Sequence, residues 1–314
     1  MSRPRVSVIV TSYNQEHYLR EAIDSVINQT VKPDEIIIAD DHSTRDNSVG
    51  LIRDYVSRYP GLIHALVQDE NVGIPKNRNS ALQRTTGDLV AILDGDDRFL
   101  PRNLETQIAA LTKHPEAGCS YSNRYSINGQ GERIQIRDTT PMPSGDLLVQ
   151  IAMGRSGILR SMLGRYDLIK AAGFLDGRFP LHDGFVLTLR LAKLTKFVYI
   201  ADPLVEKREH EGGVSKHVSR EATIRYFEDV FSEVRKLTAD VPPADAKRIE
   251  TVWLRRILEE QVWREIEAGR KMKALQHVVR GFARDPRGLR KLWNLTREIA
   301  FSNAHPVRGG DRAV

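Results

Sequence analysis

Three carboxylates, Asp94, Asp96 and Asp97, fall within four positions of "AILDGDDRFLP", directly after an apolar run. Like charges held that close repel and raise one another's pKa unless a cation or a ring of donors compensates them. Hard oxygen ligands on a rigid strand end suit Mg2+ or Mn2+, which proteins grip through one or two carboxylates while substrate phosphates and water complete the shell. The spacing therefore offers a seat for a metal diphosphate. A plainer alternative is a turn, because Asp and Gly tolerate unusual backbone angles and acids just ahead of a helix are favoured by its dipole. Taken alone, the motif leaves the two readings level.

The elements that must position these acids follow from periodicity. Short β-branched runs alternate with helical patterns through the first hundred residues: "RVSVIV", "EIIIAD", "LIHALVQ" and "DLVAILD" read as strands. Between them, "EHYLREAIDSVINQ", the segment from about Ser48 to Ser57 and "PKNRNSALQRT", opened by Pro75, read as helices. Strand, helix, strand order predicts an α/β fold with a mainly parallel sheet covered by helices on both faces. In such open sheets ligands bind beyond the carboxyl ends of the strands. Each strand here ends in polar chemistry, which gathers Thr11, Tyr13, Asp40, Asp41, Asn71, Arg78, Asp94, Asp96 and Asp97 along one rim.

Beyond Pro101 a helix to about His114, a short strand "GCSYSN" and a polar hairpin with "NGQGE" at its tip are expected, and Ile134 to Gly157 reads as less regular. From Leu181 an acid opens an amphipathic helix, the strand "FVYIA" follows, and a basic, His-containing loop comes next. The pattern from about residue 219 onward is helical, with Tyr226, Phe227, Val230, Phe231 and Val234 on one side of the first helix.

The blocks "VSVIVTSYNQEHYLREAIDSVINQT", "EIIIADDHSTRDNS", "NVGIPKNRNSAL" and "GDLVAILDGDDRFLPRNLE" resemble, in order and spacing, those of family 2 glycosyltransferases. These are inverting nucleotide-sugar enzymes with a GT-A fold. The resemblance is close over about residues 5–122 and weaker to about residue 215. It implies a catalytic domain at 1–218, with a nucleotide-sugar half at about 1–122 and an acceptor half at about 123–218, followed by a helical region at 219–314 with a basic tail. It further implies that Asp94 lies near the donor ribose, that Asp96 holds a divalent cation, Mg2+ or Mn2+, and that Asp97 is a second metal ligand.

The other blocks take roles by the same resemblance. Tyr13 stacks on the base, Thr11 bonds near it, Asp41 accepts from the ring N–H of a uracil, and Arg78 reaches a base carbonyl or a phosphate. The alternatives are a loop aromatic packed on the sheet edge for Tyr13, an Asx-type turn for Asp41 and a solvated helix residue for Arg78. An inverting displacement needs a base for the acceptor hydroxyl, and Asp183 in "LHDGFVLTLRLA" occupies the family's place for it, with an N-cap as the alternative. The family's usual "ED" pair is here His182–Asp183, a departure. In "KREHEGGVS" the resemblance implies His210 as a metal ligand, Arg208 or Lys216 on phosphate oxygens, and Gly212 and Gly213 as hinges of a closing loop, against the default of a charged surface loop. Met162 and Arg165 fall where the family lines its acceptor pocket, with core packing the stronger reading for the methionine.

Charge and composition narrow the partners. The net charge is +6, yet residues 270–314 carry 11 Lys and Arg against 3 Asp and Glu, so the rest of the chain is slightly acidic. A basic helical tail suits a solvated face, a subunit contact or an anionic membrane where lipid-linked acceptors reside, rather than nucleic acid. No run of roughly eighteen apolar residues or secretory leader is evident, so a cytoplasmic protein is expected, with peripheral contact on the inner face of the membrane and homo-oligomerisation open. The lone Cys119 excludes an internal disulfide and reads as a small core residue. A nucleotidyltransferase is disfavoured because "VTSYNQEHY" has no glycine, and a dehydrogenase because no GxGxxG follows the first strand. A non-catalytic relative that binds nucleotide sugar is the remaining alternative. The expected partners are a nucleotide-sugar donor and a glycan, lipid-linked or small hydroxyl acceptor.

Overall fold

A computed structural model describes residues 3–140, 142–154, 158–180, 183–210 and 219–284, with backbone alone at 183 and 281–284. Two compact units emerge: Met1–Ile151 with Gly157–Gly213, and Ala152–Ser156 with Val214–Val314.

The first unit begins with four strands, β1 (Val6–Ser12), β2 (Glu35–Asp40), β3 (Ile63–Val67) and β4 (Leu89–Asp94), linked by α1 (Glu16–Ile27), α2 (Ser48–Arg58) and α3 (Ile74–Leu82). β1 pairs in parallel with both β2 and β4, and β2 with β3. Val6, Val8 and Val10 of β1 share a core with Leu19, Ile23 and Val26 of α1 and Leu51, Ile52 and Tyr55 of α2. Ile9, Ile37 and Ile92 point to the opposite face and are buried as well. Burial on both faces is why these strands read as continuous apolar runs instead of alternating.

The remaining elements of this unit are β5 (Arg98–Phe99), α4 (Asn103–Lys113), β6 (Ala117–Ile127), β7 (Arg133–Ile136), α5 (Leu148–Ala152), β8 (Met162–Arg165), α6 (Tyr166–Ala171), α7 (Asp183–Leu194) and β9 (Lys196–Arg208). The sheet order is β3-β2-β1-β4-β8-β6-β9-β5, with β7 paired to β6 around the expected hairpin. β8 inserts antiparallel between β4 and β6. Because β8 runs backwards, Arg165 lies beside Leu89, at the start of β4 and far from its carboxyl end. The acceptor-pocket reading of Arg165 is thereby corrected, and Met162 is buried in the core as its alternative held. Cys119 is likewise a core residue, and burial pushes its thiol up to about 12.

In the second unit, Ser219 caps α8 (Arg220–Leu237) by accepting from the Ala222 N–H at 3.2 Å. Tyr226, Val230, Phe231 and Val234 are buried, and Trp253 of α9 (Pro243–Glu267) stacks on Phe231 and donates its indole N–H to the Ala152 carbonyl at 2.6 Å. α10 (Lys271–Arg284) buries Ala274 and Val278 against Val262 and leaves Met272, Leu275 and Val279 exposed. Among the described residues no helix is long and apolar enough to cross a membrane. The tail beyond residue 284, with 6 of the 11 Lys and Arg of residues 270–314, lies outside the described residues, as do His182, Gly212, Gly213 and Lys216.

Candidate functional site

The carboxyl ends of the parallel strands converge as expected. Thr11 sits beside both Ala39 and Asp94, and Ser12 beside Asp40. The turn Asp94–Asp97 folds against the end of β1 so tightly that a Cβ on Gly95 would stand 2.6 Å from the Thr11 carbonyl oxygen. Glycine is required there for close approach of two backbones, rather than for a left-handed angle. The turn does not lead straight into a helix: β5 follows and α4 starts only at Asn103, which removes the helix-capping explanation for the acids.

One ligand oxygen from each of Asp94, Asp96 and Asp97 lies within 4.8 Å of the others. His210 joins from the residues after β9, its Nε2 3.0 Å from Asp96 Oδ2. Its ring leans on Tyr18, which is capped on its other contact by the Arg208 guanidinium at 4.5 Å. Of the two residues offered for phosphate, Arg208 or Lys216, the structure turns Arg208 inward, and Lys216 lies outside the described residues. Arg208 is buried, its side chain donating to the Asp96 and Gly129 carbonyls and to Glu21, while its backbone N–H donates to Asp97 Oδ1 at 2.8 Å. Arg208 thus braces the acid turn from behind.

The three acids have unlike surroundings. Burial alone would raise the Asp94 carboxyl, but the guanidinium groups of Arg78 and Arg160 outweigh it and hold Asp94 well below the usual carboxylate range. Arg78 pairs with one oxygen and Arg160 with the other, at 2.9 Å, while Thr11 Oγ1 stands 3.5 Å away. Asp97 goes the opposite way. Burial, then the charges of Asp96 and Asp94, push it well above its ordinary value despite Arg160 and the Arg208 N–H. A buried carboxylate crowded by two others is a place where a cation is favoured. The carboxylate oxygens are hard donors that accommodate Mg2+ or Mn2+, and the imidazole adds a nitrogen donor beside them. Asp96, Asp97 and His210 fit such an ion; Asp94, with an arginine on each oxygen, is the least available of the cluster.

On the nucleotide side, Tyr13 is 42% exposed and lies just before Asn14, whose φ of 51° turns the chain. Asn14 Oδ1 accepts from the Thr44 and Arg45 N–H groups and its own N–H donates to Ser43, tying the loop after β1 to the loop after β2. The ring is therefore presented outward and not packed on the sheet edge. The Asx-type turn anticipated for Asp41 is made by Asp40, whose oxygens accept from the Ser43 N–H and hydroxyl. Asp41 instead accepts from the Val72 and Gly73 N–H groups at 2.8 and 3.0 Å, and Gly73 has the positive φ of 84° that this approach uses. Each of its oxygens keeps a second lone pair.

Arg78 is buried against Asp94, so the solvated-helix alternative is excluded. Breaking a buried ion pair strands a charge, at about 3–5 kcal/mol. Arg78→Met should lower unfolding free energy by about 3 kcal/mol, the smaller end because Arg160 remains on Asp94. Urea denaturation checks this, and an unchanged midpoint would refute the pairing. Arg160, which residue patterns did not single out, belongs to this site; the only hint was the positive partner that the acid cluster demands. Asp183 opens α7 and its side chain lies outside the described residues.

The family model described as glycosyl transferase family 2 matches residues 7–167. The chain is 40% identical over 147 residues to the putative glycosyltransferase EpsE of Bacillus subtilis (strain 168), covering 46% of this chain and 50% of that protein. It is 36% identical over 140 residues to the putative teichuronic acid biosynthesis glycosyltransferase TuaG of the same organism, covering 45% of this chain and 51% of TuaG. The chain spans about a third to a half of the length of such curated relatives. Among solved structures, S. aureus TarS 1-349 in complex with UDP-GlcNAc superposes with a TM-score of 0.66 at 18% identity, over 89% of this chain and 91% of that one, which supports the GT-A fold. The strand-end acid turn lies inside the matched region, and the chain belongs to glycosyl transferase family 2.

Proposed function

We propose that the chain is an inverting glycosyltransferase that moves a sugar from a UDP-linked donor to a hydroxyl acceptor in surface glycan, glycolipid or polysaccharide biosynthesis. The observation that carries this reading is the meeting of Asp96, Asp97 and His210 with an outward-facing Tyr13 at one sheet edge. The names of two similar proteins support it: TuaG for teichuronic acid biosynthesis and TarS for its complex with UDP-GlcNAc.

In this reading the Tyr13 ring stacks on the base, and Asp41, already fixed by two backbone amides, accepts from the uracil N–H with its second lone pairs. Thr11 bonds near the base and Asp94 lies near the ribose, with Arg78 acting through Asp94 by fixing its orientation. Asp96, Asp97 and His210 hold Mg2+ or Mn2+, which when bound neutralises charge on the departing diphosphate. Asp183 takes the proton of the acceptor hydroxyl as its oxygen bonds to the anomeric carbon and the carbon–phosphate oxygen bond breaks.

A thermal-shift screen of UDP-, GDP- and dTDP-sugars with and without Mn2+ tests the assignment. At a concentration one hundred times Kd, a donor that binds only the folded chain adds about 2.7 kcal/mol. The UDP-sugar with Mn2+ should give the largest rise in melting temperature. A flat response to every donor, with and without the metal, would end the proposal.

A further inference from the structure

Strand register places several cations on one side of the acid turn. β6 and β9 run parallel with Ser126 beside Lys207, and Arg124 lies two residues earlier on the same face of β6. Glu206 and Arg208, the neighbours of Lys207, point to the other face, where Glu206 meets Arg98 and Arg133 and Arg208 meets Glu21. β5 pairs antiparallel with β9, Arg98 beside Glu206, so the next step of that register sets Asp97 beside Lys207. Arg160 approaches the same region through its ion pair with Asp94.

Lys207 is half-buried, and among the described residues its ammonium makes no hydrogen bond or ion pair. Burial, then the like charges of Arg160 and Arg124, lower its pKa against the opposing pull of Asp97 and Glu209. Burial, then Arg137 and Arg160, similarly bring Arg124 down to about 10. A partly desolvated ammonium among like charges is unfavourable by itself, and a ligand oxyanion would satisfy it through a charge-assisted hydrogen bond.

The position in the sheet indicates which ligand. Thr11, Tyr13, Asp41 and Arg78 come from the β1, β2 and α3 side of β4, whereas Arg124 and Lys207 lie on β6 and β9, beyond β8 on the other side. We propose that Lys207, with Arg124 and Arg160, forms an anion subsite on the acceptor side, so that the acceptor carries a phosphate or carboxylate close to its attacking hydroxyl. This rests on the glycosyltransferase reading above for what counts as the acceptor side.

Calorimetry on the full chain, with and without UDP and Mn2+, would compare glucose 6-phosphate, glycerol 3-phosphate and glucuronate with glucose and glycerol. The charged probes should bind about tenfold or more tightly than their neutral counterparts, as one charge-assisted hydrogen bond implies. Lys207→Gln should erase that preference and Lys207→Arg should keep most of it, with UDP affinity unchanged in both. Equal binding of charged and neutral probes, or a preference that survives Lys207→Gln, overturns the subsite. A drop in UDP affinity in Lys207→Gln overturns it too, by assigning the cation to the donor diphosphate. Failure of UDP to bind the unaltered chain defeats the donor reading alone, because probe preference is measured without UDP as well.

Discussion

Asp183→Asn should lower glycosyl transfer by about 10²- to 10⁴-fold, the usual contribution of a positioned general base, while UDP-sugar affinity stays within about twofold of the unaltered chain. Asn keeps the shape of the side chain and cannot take a proton. It also separates the two roles open to this residue, since Asn serves at a helix start about as well as Asp. A capping role would therefore leave both stability and transfer unchanged, whereas a base role removes transfer alone. α7 begins at Asp183, and a Cβ on the next residue, Gly184, would stand 2.6 Å from the Leu159 side chain. The helix start thus packs on the turn that also carries Arg160, the partner of Asp94. Transfer is followed by UDP release with an acceptor present, and donor affinity by calorimetry. Full activity in Asp183→Asn would remove the assignment, and a chain that only binds nucleotide sugar would lose nothing at all.

How much of this was legible in the sequence depended on range. β1 to β4 and their helices were readable because each is a local pattern, and their polar carboxyl ends followed from parallel order alone. β8 was not, for "MLGR" is four residues with no strand period, and it becomes a strand only because β4 and β6 each offer it a ladder. β5 has two residues and exists through its pairing with β9. β9 runs on to Arg208, past the strand expected at "FVYIA", because β6 pairs with it as far as Ile127. The site shows the same division. Asp94, Asp96, Asp97 and Tyr13 stood out by local density and by loop position. That Asp40 and not Asp41 makes the turn was hidden, since neighbouring residues at a strand end face opposite ways and sequence does not say which turns inward. Arg160, and the bracing contact that Arg208 makes, were hidden for a different reason: their partners lie 66 and 112 residues away.

Asp96→Ala should abolish the part of donor stabilisation that depends on Mn2+ and reduce transfer by about 10²- to 10³-fold, the rate equivalent of several kcal/mol of charge stabilisation. Asp97 supplies a second, independent reading of the same site through pH. Its folded-state pKa is raised above 3.8 by burial and then by Asp96 and Asp94. A raised carboxyl contributes stability that is fully present below the unfolded value and is lost as pH climbs through the folded value. Without metal, this residue therefore favours the folded chain in acid and opposes it on approach to neutrality. Asp94 has the opposite sign. Its depressed pKa gives stability present above the unfolded value and lost only in stronger acid, so the two effects occupy separate windows. A divalent cation needs the deprotonated oxygens and competes with the proton on Asp97. The difference in melting temperature with and without Mn2+ should then widen as pH rises from about 4 toward 7, and it should be smaller and flatter in Asp97→Asn. A difference that is the same at every pH in the unaltered chain would show that no cation is bound through Asp97, and with Asp96→Ala also silent the acid turn would have no metal to hold.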